Sequence, residues 1–331
     1  MRFKSLLGLA TVSALALAGA SGASAQDVRI ALVVKALGIG FFEAARDGGQ
    51  EAAEELGDVE LIYTGPTTTT AEAQIETINS LIAQRVDAIA VSANDTDALV
   101  PILKKAMQRD ITVISWDSGV APEGREAHLD PSSTELIGKM LAQLAAAPID
   151  GEGDIAILST TPTTTNQNNW IAAMKEALPN HPGLNLVTTV YGDDLADKSY
   201  REAVALMQAH PEVKVIVAPT SIGIVAAAQA VEDQGKVGEV FVTGLGLPSE
   251  LAGHVDAGSV ESFAIWNPID LGYSAAMLAY NLATDKAEAE PGAEIEIGRM
   301  GKITLDEDRS APMADPFVYD ASNVHEFAKI F

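Results

Sequence analysis

Residues 87–119, DAIAVSANDTDALVPILKKAMQRDITVISWDSG, hold two short β-branched runs, AIAVSA (88–93) and TVISWD (112–117), separated by a segment of helical length. Both runs are apolar at consecutive positions, the pattern of strands buried on both faces of a parallel sheet. A strand, a helical segment and a second strand make a βαβ unit. The same rhythm extends outward in both directions. Upstream lie VRIALVV (28–34) and VELIYTG (59–65). Downstream come DIAILS (154–159), NLVTTVYG (185–192), VKVIVAP (213–219), VFVTGLG (240–246) and SFAIWN (262–267). The intervening segments carry the 3.6-residue period: Ile75, Ile78 and Ile82 share one face of a helix over about 71–84, and Tyr200, Ala203, Val204 and Met207 share another. PIDGEG (148–153) is the clearest break, and the alternation restarts beyond it. The fold class is therefore α/β, with two similar doubly wound parallel-sheet lobes. Pro291-Gly292 ends the last long helix after the acidic run 285–290. One further strand-like piece, IEIGRMGKIT (295–304), and irregular sequence to Phe331 follow.

Residues 1–25, MRFKSLLGLATVSALALAGASGASA, read as a secretory signal peptide. Arg2 and Lys4 make its positive start, Leu6 to Ala20 its apolar stretch, and Ala23-Ser24-Ala25 its cleavage site, so the mature chain is expected to begin at Gln26. The apolar stretch falls short of the ~20 residues a membrane span needs. No cysteine follows it to take a lipid, and none occurs anywhere in the 331 residues, which removes disulfides, thiolate nucleophiles and Cys-ligated metals. The chain carries 46 acidic and 21 basic side chains, a net charge of −25, which argues against a nucleic-acid or anionic-membrane partner. The expectation is a soluble protein outside the inner membrane, with no metal and no cofactor.

In open α/β sheets, ligands bind beyond the carboxyl ends of the strands. Those ends hold Lys35, Asn94-Asp95, Trp116-Asp117, the stretch TTPTTTNQNNW (160–170), Pro219-Thr220-Ser221 and Trp266-Asn267. All three tryptophans fall in this set although aromatics make up only 5% of the chain. Planar amides and carboxylates grip vicinal hydroxyls, and aromatic faces cover the C–H surfaces of a sugar, so the set suits a polyol. Phe41 and Phe42, opening a helix after Gly38-Ile39-Gly40, offer a further apolar face. Each residue also has a plainer role open to it: a tryptophan at a strand end fills a core, Asp117 caps a turn, and Phe41-Phe42 form a hydrophobic pair.

Other chemistries fail on the residues. Gly38-x-Gly40 follows a strand, but Glu43 occupies the third glycine position, and the second strand ends in Tyr63-Thr64-Gly65 without the acid that holds a ribose. Histidines 128, 181, 210, 254 and 325 show no ligand spacing and are expected on the surface. Asp193-Asp194-Leu195-Ala196-Asp197 lacks the glycine and closing glutamate of a calcium loop, and Asp197 reads as a cap or first-turn acid of the helix 198–209.

Four stretches, 87–119, TNQNNW (165–170), YGDDLADKSYREA (191–203) and GLGLPSELAGHVDAGSVESFAIWNPIDLGY (244–273), resemble the type I periplasmic sugar-binding proteins of ABC importers, in the rhamnose-binding and autoinducer-2-binding group. The resemblance implies two lobes joined by a three-strand hinge, with 26–132 plus 268–300 in one and 133–267 plus 301–331 in the other, and crossings near Ser132, Asn267 and Met300. It also implies roles in ligand binding for Lys35, Asp117, Gln167, Pro219 and the position of Ser221. Asn166 stands where autoinducer-2 receptors carry an aspartate, and Ser221 where they carry an alanine, which favours a deoxyhexose such as rhamnose. The full candidate ligand set is Lys35, Phe41, Phe42, Asn94, Asp117, Asn166, Gln167, Trp170, Pro219, Ser221, Trp266 and Asn267. The implied partners are a sugar and the permease and ATPase subunits of an importer, with the receptor itself a monomer. An autoinducer-2 receptor, a sensory receptor and a secreted sugar enzyme are the alternatives.

Overall fold

The structure is a computed structural model that describes residues 27–331, so the expected signal peptide lies outside the described residues. The first half runs β1 (Val28–Val33), α1 (Gly40–Leu56), β2 (Val59–Thr64), α2 (Ala71–Gln84), β3 (Ala88–Val91), α3 (Val100–Met107), β4 (Thr112–Trp116) and β5 (Ala127–Asp130). The chain continues through α4 (Thr134–Ala146), β6 (Gly153–Ser159), α5 (Thr165–Ala177), β7 (Leu184–Tyr191), α6 (Ala196–Ala209), β8 (Val213–Ala218) and α7 (Ser221–Asp233). It ends with β9 (Phe241–Gly244), α8 (Pro248–Ala257), β10 (Ser262–Ile265), α9 (Pro268–Ala283), β11 (Glu294–Glu296), β12 (Lys302–Thr304), β13 (Ser310–Pro312), β14 (Phe317–Asp320) and α10 (Val324–Phe327).

Two sheets organise the molecule, in the order β13-β5-β4-β3-β1-β2 in the first lobe and β7-β6-β8-β9 in the second. Every pair within them is parallel. Their central strands are buried on both faces, as Ile30 to Val34 and Ile155 to Leu158 show with no exposed surface, so the continuous apolar runs of the sequence have the reason assigned to them. β10 pairs antiparallel with β14 and touches β9 through isolated bridges.

The chain passes between the lobes three times. The first passage lies between β5 and α4 and the second between β10 and α9, close to Ser132 and Asn267. After the second, α9 lies against α1 of the first lobe at very short range: a Cβ on Gly48 would meet the carbonyl oxygen of Ile269 at 1.7 Å, and one on Gly272 the carbonyl oxygen of Ala45 at 1.8 Å. The two glycines therefore permit the helix contact that brings the chain back. The third passage differs from the expected position near Met300. The strand-like piece 295–304 is a hairpin, β11 to β12, bent at Gly298 and Gly301, both with positive φ. β13 then pairs with β5 in the first sheet, and β14 pairs with β10, so residues 301–312 run with the first lobe and the crossing falls between Pro312 and Phe317. β5, β13 and β14 give weak sequence signals because they are short and polar or proline-bearing, and for the edge strands β13 and β14 that composition is tolerated.

One local expectation also changes. His128 is buried, not on the surface: Nδ1 lies 2.9 Å from Ser115 Oγ and Nε2 lies 3.1 Å from Asp130 Oδ1, in the strands just before the first crossing. Ser115 is fully buried in β4, so this Ser-His-Asp series has no route to a substrate and serves as a buried polar tie. Asp197 lies in the first turn of α6, whose N-cap is Leu195.

Candidate ligand cavity

The carboxyl ends of both sheets face each other across a cavity lined by Lys35, Ile39, Phe41, Phe42 and Asp117 from the first lobe. The second lobe supplies Asn166, Gln167, Trp170, Asp194, Pro219, Thr220, Ser221 and Leu245, and the strand leading into the second crossing adds Ile265 and Trp266.

Lys35 and Asp117 are held from beneath. Lys35 follows β1, and its carbonyl accepts a hydrogen bond from Asn94 Nδ2 at 2.9 Å. Asn94 N–H donates to Gln74 Oε1, and Gln74 Nε2 donates to the carbonyls of Val34 and Ser92. This buried amide pair ties the ends of β1 and β3 to α2, and Asn94 supports the cavity floor without lining it, which corrects its candidate role. Asp117 sits just past β4 with φ of 58°, a left-handed conformation that aspartate tolerates better than most residues. Ser92 Oγ donates to its Oδ2 at 2.7 Å. The carboxylate is thus aimed into the cavity by a backbone turn that costs strain and a hydroxyl that fixes its angle.

Asn166 bridges the lobes. Its Nδ2 donates to Asp117 Oδ1 at 3.0 Å, while its Oδ1 accepts from Lys35 Nζ at 3.0 Å and from the Gln167 N–H at 2.9 Å. Lys35 Nζ also lies 3.6 Å from Asp117 Oδ2. Burial of this ion pair is tolerable because each partner has further hydrogen bonds. Gln167 is oriented by a hydrogen bond from Thr160 Oγ1 to its Oε1. Outside the cavity, Thr165 Oγ1 donates to the Gly119 carbonyl and pairs with Thr96 Oγ1, and Thr69 Oγ1 donates to the Asp193 carbonyl. The lobes are therefore in contact, and the structure describes a closed cleft.

The aromatic wall is a chain of edge contacts: Phe42 with Phe41 at 5.3 Å, Phe41 with Trp266 at 6.2 Å, and Trp266 with Trp170 at 5.4 Å between ring centroids. The buried indole N–H of Trp266 has no hydrogen-bond partner among the described residues, an uncommon state for a buried donor beside a cavity. Trp116, in contrast, is a core residue: it has no exposed surface, donates to the Ala90 carbonyl and packs edge-on against Phe42. Two of the three tryptophans, Trp170 and Trp266, thus line the cavity. Asn267 also has another task. It caps α9, accepting from the Ile269 N–H at 2.9 Å and donating to Asp270, and it does not line the cavity.

The candidate set leaves out Asp194, Ile39, Leu245 and Ile265, and also Thr220, although Thr220 stands among the strand-end residues. The apolar three carry no signal beyond hydrophobicity. Asp194 was hidden inside an acidic run weighed as a metal loop and set aside; among the described residues no cluster could hold a metal. Thr220 Oγ1 donates to Asp194 Oδ1 at 2.6 Å. Burial pushes the Asp194 carboxyl above its ordinary range, against the opposing pull of the Lys35 ammonium and the Thr220 hydroxyl.

Donors and acceptors that converge from two lobes, with aromatic faces between them and no nucleophile beside a base, make a solute-binding protein of the two-lobed, hinged class. The chain belongs to the periplasmic binding protein family, whose domain model matches residues 30–287. It is similar to the D-ribose/D-allose-binding protein of Pseudomonas aeruginosa, 30% identical over 231 residues that cover 66% of this chain and 70% of that one. Among solved structures, it resembles an ABC transporter solute-binding protein of Clostridium phytofermentans with bound L-rhamnose. That match has a TM-score of 0.89 and 35% identity, and covers 92% of this chain and 99% of that one. LsrB of Clostridium saccharobutylicum in complex with AI-2 shares the fold, with a TM-score of 0.85 and 22% identity over 91% of this chain and 99% of that one. The proteins it matches are binding proteins, and this chain is one too, not an enzyme.

Proposed function

We propose that this protein is the periplasmic receptor of an ABC sugar importer and that it closes on one neutral monosaccharide, with L-rhamnose or a similar deoxyhexose or pentose as the best reading. The observation that carries it is the Lys35–Asn166–Asp117 bridge between the lobes, flanked by the rings of Phe41, Phe42, Trp170 and Trp266. A sugar seated there would bond groups from both lobes at once, so it binds the closed form better than the open one and shifts the population toward closure. Gln167 and Ser221 would add ligand contacts from the second lobe, and Pro219 would shape its wall. The rhamnose-bound relative at 35% identity supports the choice of sugar. The closed receptor would then be recognised by a membrane permease driven by an ATPase. In this reading the signal peptide 1–25 directs the chain to the periplasm, where it works as a monomer.

An autoinducer-2 receptor is the weaker reading. Asn166 offers a neutral amide where a carboxylate would be the stronger acceptor, and both ends of that amide are already engaged by Lys35 and Asp117. Calorimetric titration of ligand-stripped protein with L-rhamnose, D-ribose, D-allose, other deoxyhexoses and pentoses, and autoinducer-2 tests the proposal. Tight binding of a deoxyhexose or pentose with no turnover is expected. Binding of autoinducer-2 alone would replace the sugar, and binding of none would end the reading.

A further inference from the structure

We propose that Asp194 is a specificity-determining residue of this cavity, meeting a ligand hydroxyl from the second lobe and excluding ligands that carry a carboxylate or phosphate. The inference rests on the reading of the protein as a sugar receptor. Three charged residues line the cavity: Lys35, Asp117 and Asp194. The single cation is committed to the first lobe's own acid and to Asn166, with Lys35 Nζ 3.6 Å from Asp117 Oδ2. Asp194 is therefore the surplus charge. An anionic ligand would bring one more negative group into a space whose one ammonium is already paired, and like charges at such range are disfavoured. A neutral polyol has no such cost. Its hydroxyl can donate to the carboxylate, or accept from the protonated acid.

The position of Asp194 is built. Asp193 and Asp194 stand in succession in the left-handed region, with φ of 56° and 51°, a costly conformation for a pair of non-glycine residues. Three contacts hold them there. Lys198 binds the Asp193 carboxylate at 2.6 Å, Thr220 at the start of α7 bonds Asp194 Oδ1, and Thr69 of the first lobe donates to the Asp193 carbonyl. Asp194 Oδ2 has no hydrogen-bond partner among the described residues, which leaves it for a ligand. Because the Thr69 contact comes from the opposite lobe, closure itself completes the setting of this loop.

That geometry couples the site to protons. Lys35 faces Asp194 from the end of β1, Asp117 from the end of β4, Thr220 from α7, and Asp193 with its partner Lys198 from the same loop and α6. In the structure burial raises the carboxyl's proton affinity, and an open cleft would return water to it and lower that affinity. The closed, liganded form then holds more protons than the open form, so binding takes up protons. Affinity for a neutral sugar rises as pH falls through the interval between the open-form and closed-form values, by up to about tenfold per pH unit of separation.

The test uses L-rhamnose and its 6-carboxylate counterpart L-mannuronate in calorimetric titrations at pH 5 and pH 8, each in two buffers of different ionisation enthalpy. For the wild type we expect tighter rhamnose binding at pH 5, an apparent enthalpy that varies with buffer because protons are taken up, and no mannuronate binding at pH 8, where Asp194 carries its charge. Asp194→Asn keeps an acceptor for Thr220 and a side chain that tolerates the left-handed backbone. It is expected to lose the pH and buffer dependence of rhamnose binding and to gain affinity for mannuronate. Wild-type rhamnose binding that is independent of pH and buffer, or wild-type binding of mannuronate at pH 8 as tight as of rhamnose, overturns the inference while leaving the receptor reading intact. Failure of rhamnose and of every other neutral sugar to bind overturns the receptor reading and this inference with it.

Discussion

The two lobes equip the cavity differently. The first presents charge: Lys35 and Asp117, fixed by Ser92, Asn94 and Gln74, all of which belong to the same lobe. The second presents neutral amides, hydroxyls and a ring, in Asn166, Gln167, Thr220, Ser221 and Trp170, with Asp194 as its one charged residue. Both of the Asn166 side chain's partners beyond its own lobe come from across the cleft, so its hydrogen bonding depends on closure. The first lobe is therefore pre-organised and would hold its ligand-facing atoms in place when the cleft is open, while the second assembles its polar edge as it arrives. Ligand affinity should then be concentrated in the first lobe's charges, and closure should be tuned from the second.

The largest expected effect tests the first half of that statement. Asp117→Ala removes an acceptor whose charged hydrogen bonds would face the sugar and leaves Lys35 buried without its acid. A loss of about 2–4 kcal/mol in binding, measured by titration, is expected. Asn166→Ala should cost less, because its loss leaves no buried charge unpaired. A larger effect for Asn166 than for Asp117 would break the division between the lobes.

Trp266 sits between them, at the second crossing. Its unpartnered indole N–H costs stability in the unliganded closed form, and a sugar oxygen would satisfy it. Trp266→Phe keeps most of the ring and removes the donor. Sugar affinity is expected to fall by about 1 kcal/mol while the melting temperature of the ligand-free protein holds or rises. Equal loss of both would show a packing role only.

How much of this was readable in the residues follows the same division. The strands of both sheets announce themselves because doubly covered strands are continuous apolar runs, and Ile30 to Val34 needs no partner to be recognised. The short strands β5, β13 and β14 do not, since AHLD, SAP and FVYD are short and gain their pairing from tertiary neighbours. Cavity-lining residues that follow a strong strand, Lys35, Asp117, Pro219 and Ser221, are marked by the rule that ligands gather at strand ends. That rule cannot say which way a side chain turns. Trp116 is the last residue of β4 and points into the core, and its neighbour Asp117 points into the cavity only because the backbone enters the left-handed region there. Asn94 and Asn267 lie at the right ends of the right strands, yet their amides are spent on backbone groups, one on the Lys35 carbonyl and one on the start of α9. Asp194 was missed for the opposite reason: its value comes from the wall opposite, which sequence proximity does not reveal.

The closing surfaces beside the cavity give a finer test. α1 starts at Gly40 with no side-chain cap at Ile39, and a Cβ on Gly40 would lie 2.6 Å from Glu250 Oε1 of α8 in the other lobe. Gly40→Ala would push the Glu250 carboxyl aside only when the lobes are together. We expect sugar affinity to fall by about 1 kcal/mol with the ligand-free melting temperature unchanged. A lowered melting temperature with intact affinity would mean that Gly40 serves the helix and not the closure.

Glu250 itself should give the smallest effect, and one with a defined pH signature. Its Oε2 is buried without a hydrogen-bond partner, and desolvation raises its carboxyl above the usual glutamate range. A carboxyl whose folded value is raised binds its proton more tightly in the folded than in the unfolded chain. Stability is therefore lost as pH rises from the ordinary glutamate value through the folded one, and the penalty persists at neutral pH. Glu250→Gln removes that titration. Thermal unfolding across pH 4 to 8 should show the variant slightly more stable than the wild type at neutral pH, by well under 1 kcal/mol after allowance for its partial exposure, with the two converging near pH 4. If the difference instead grew as pH fell, the carboxylate form would be the stabilising one. Glu250 would then be acting as an anionic cap for the uncapped start of α1, and the second lobe would hold the closed form by charge after all.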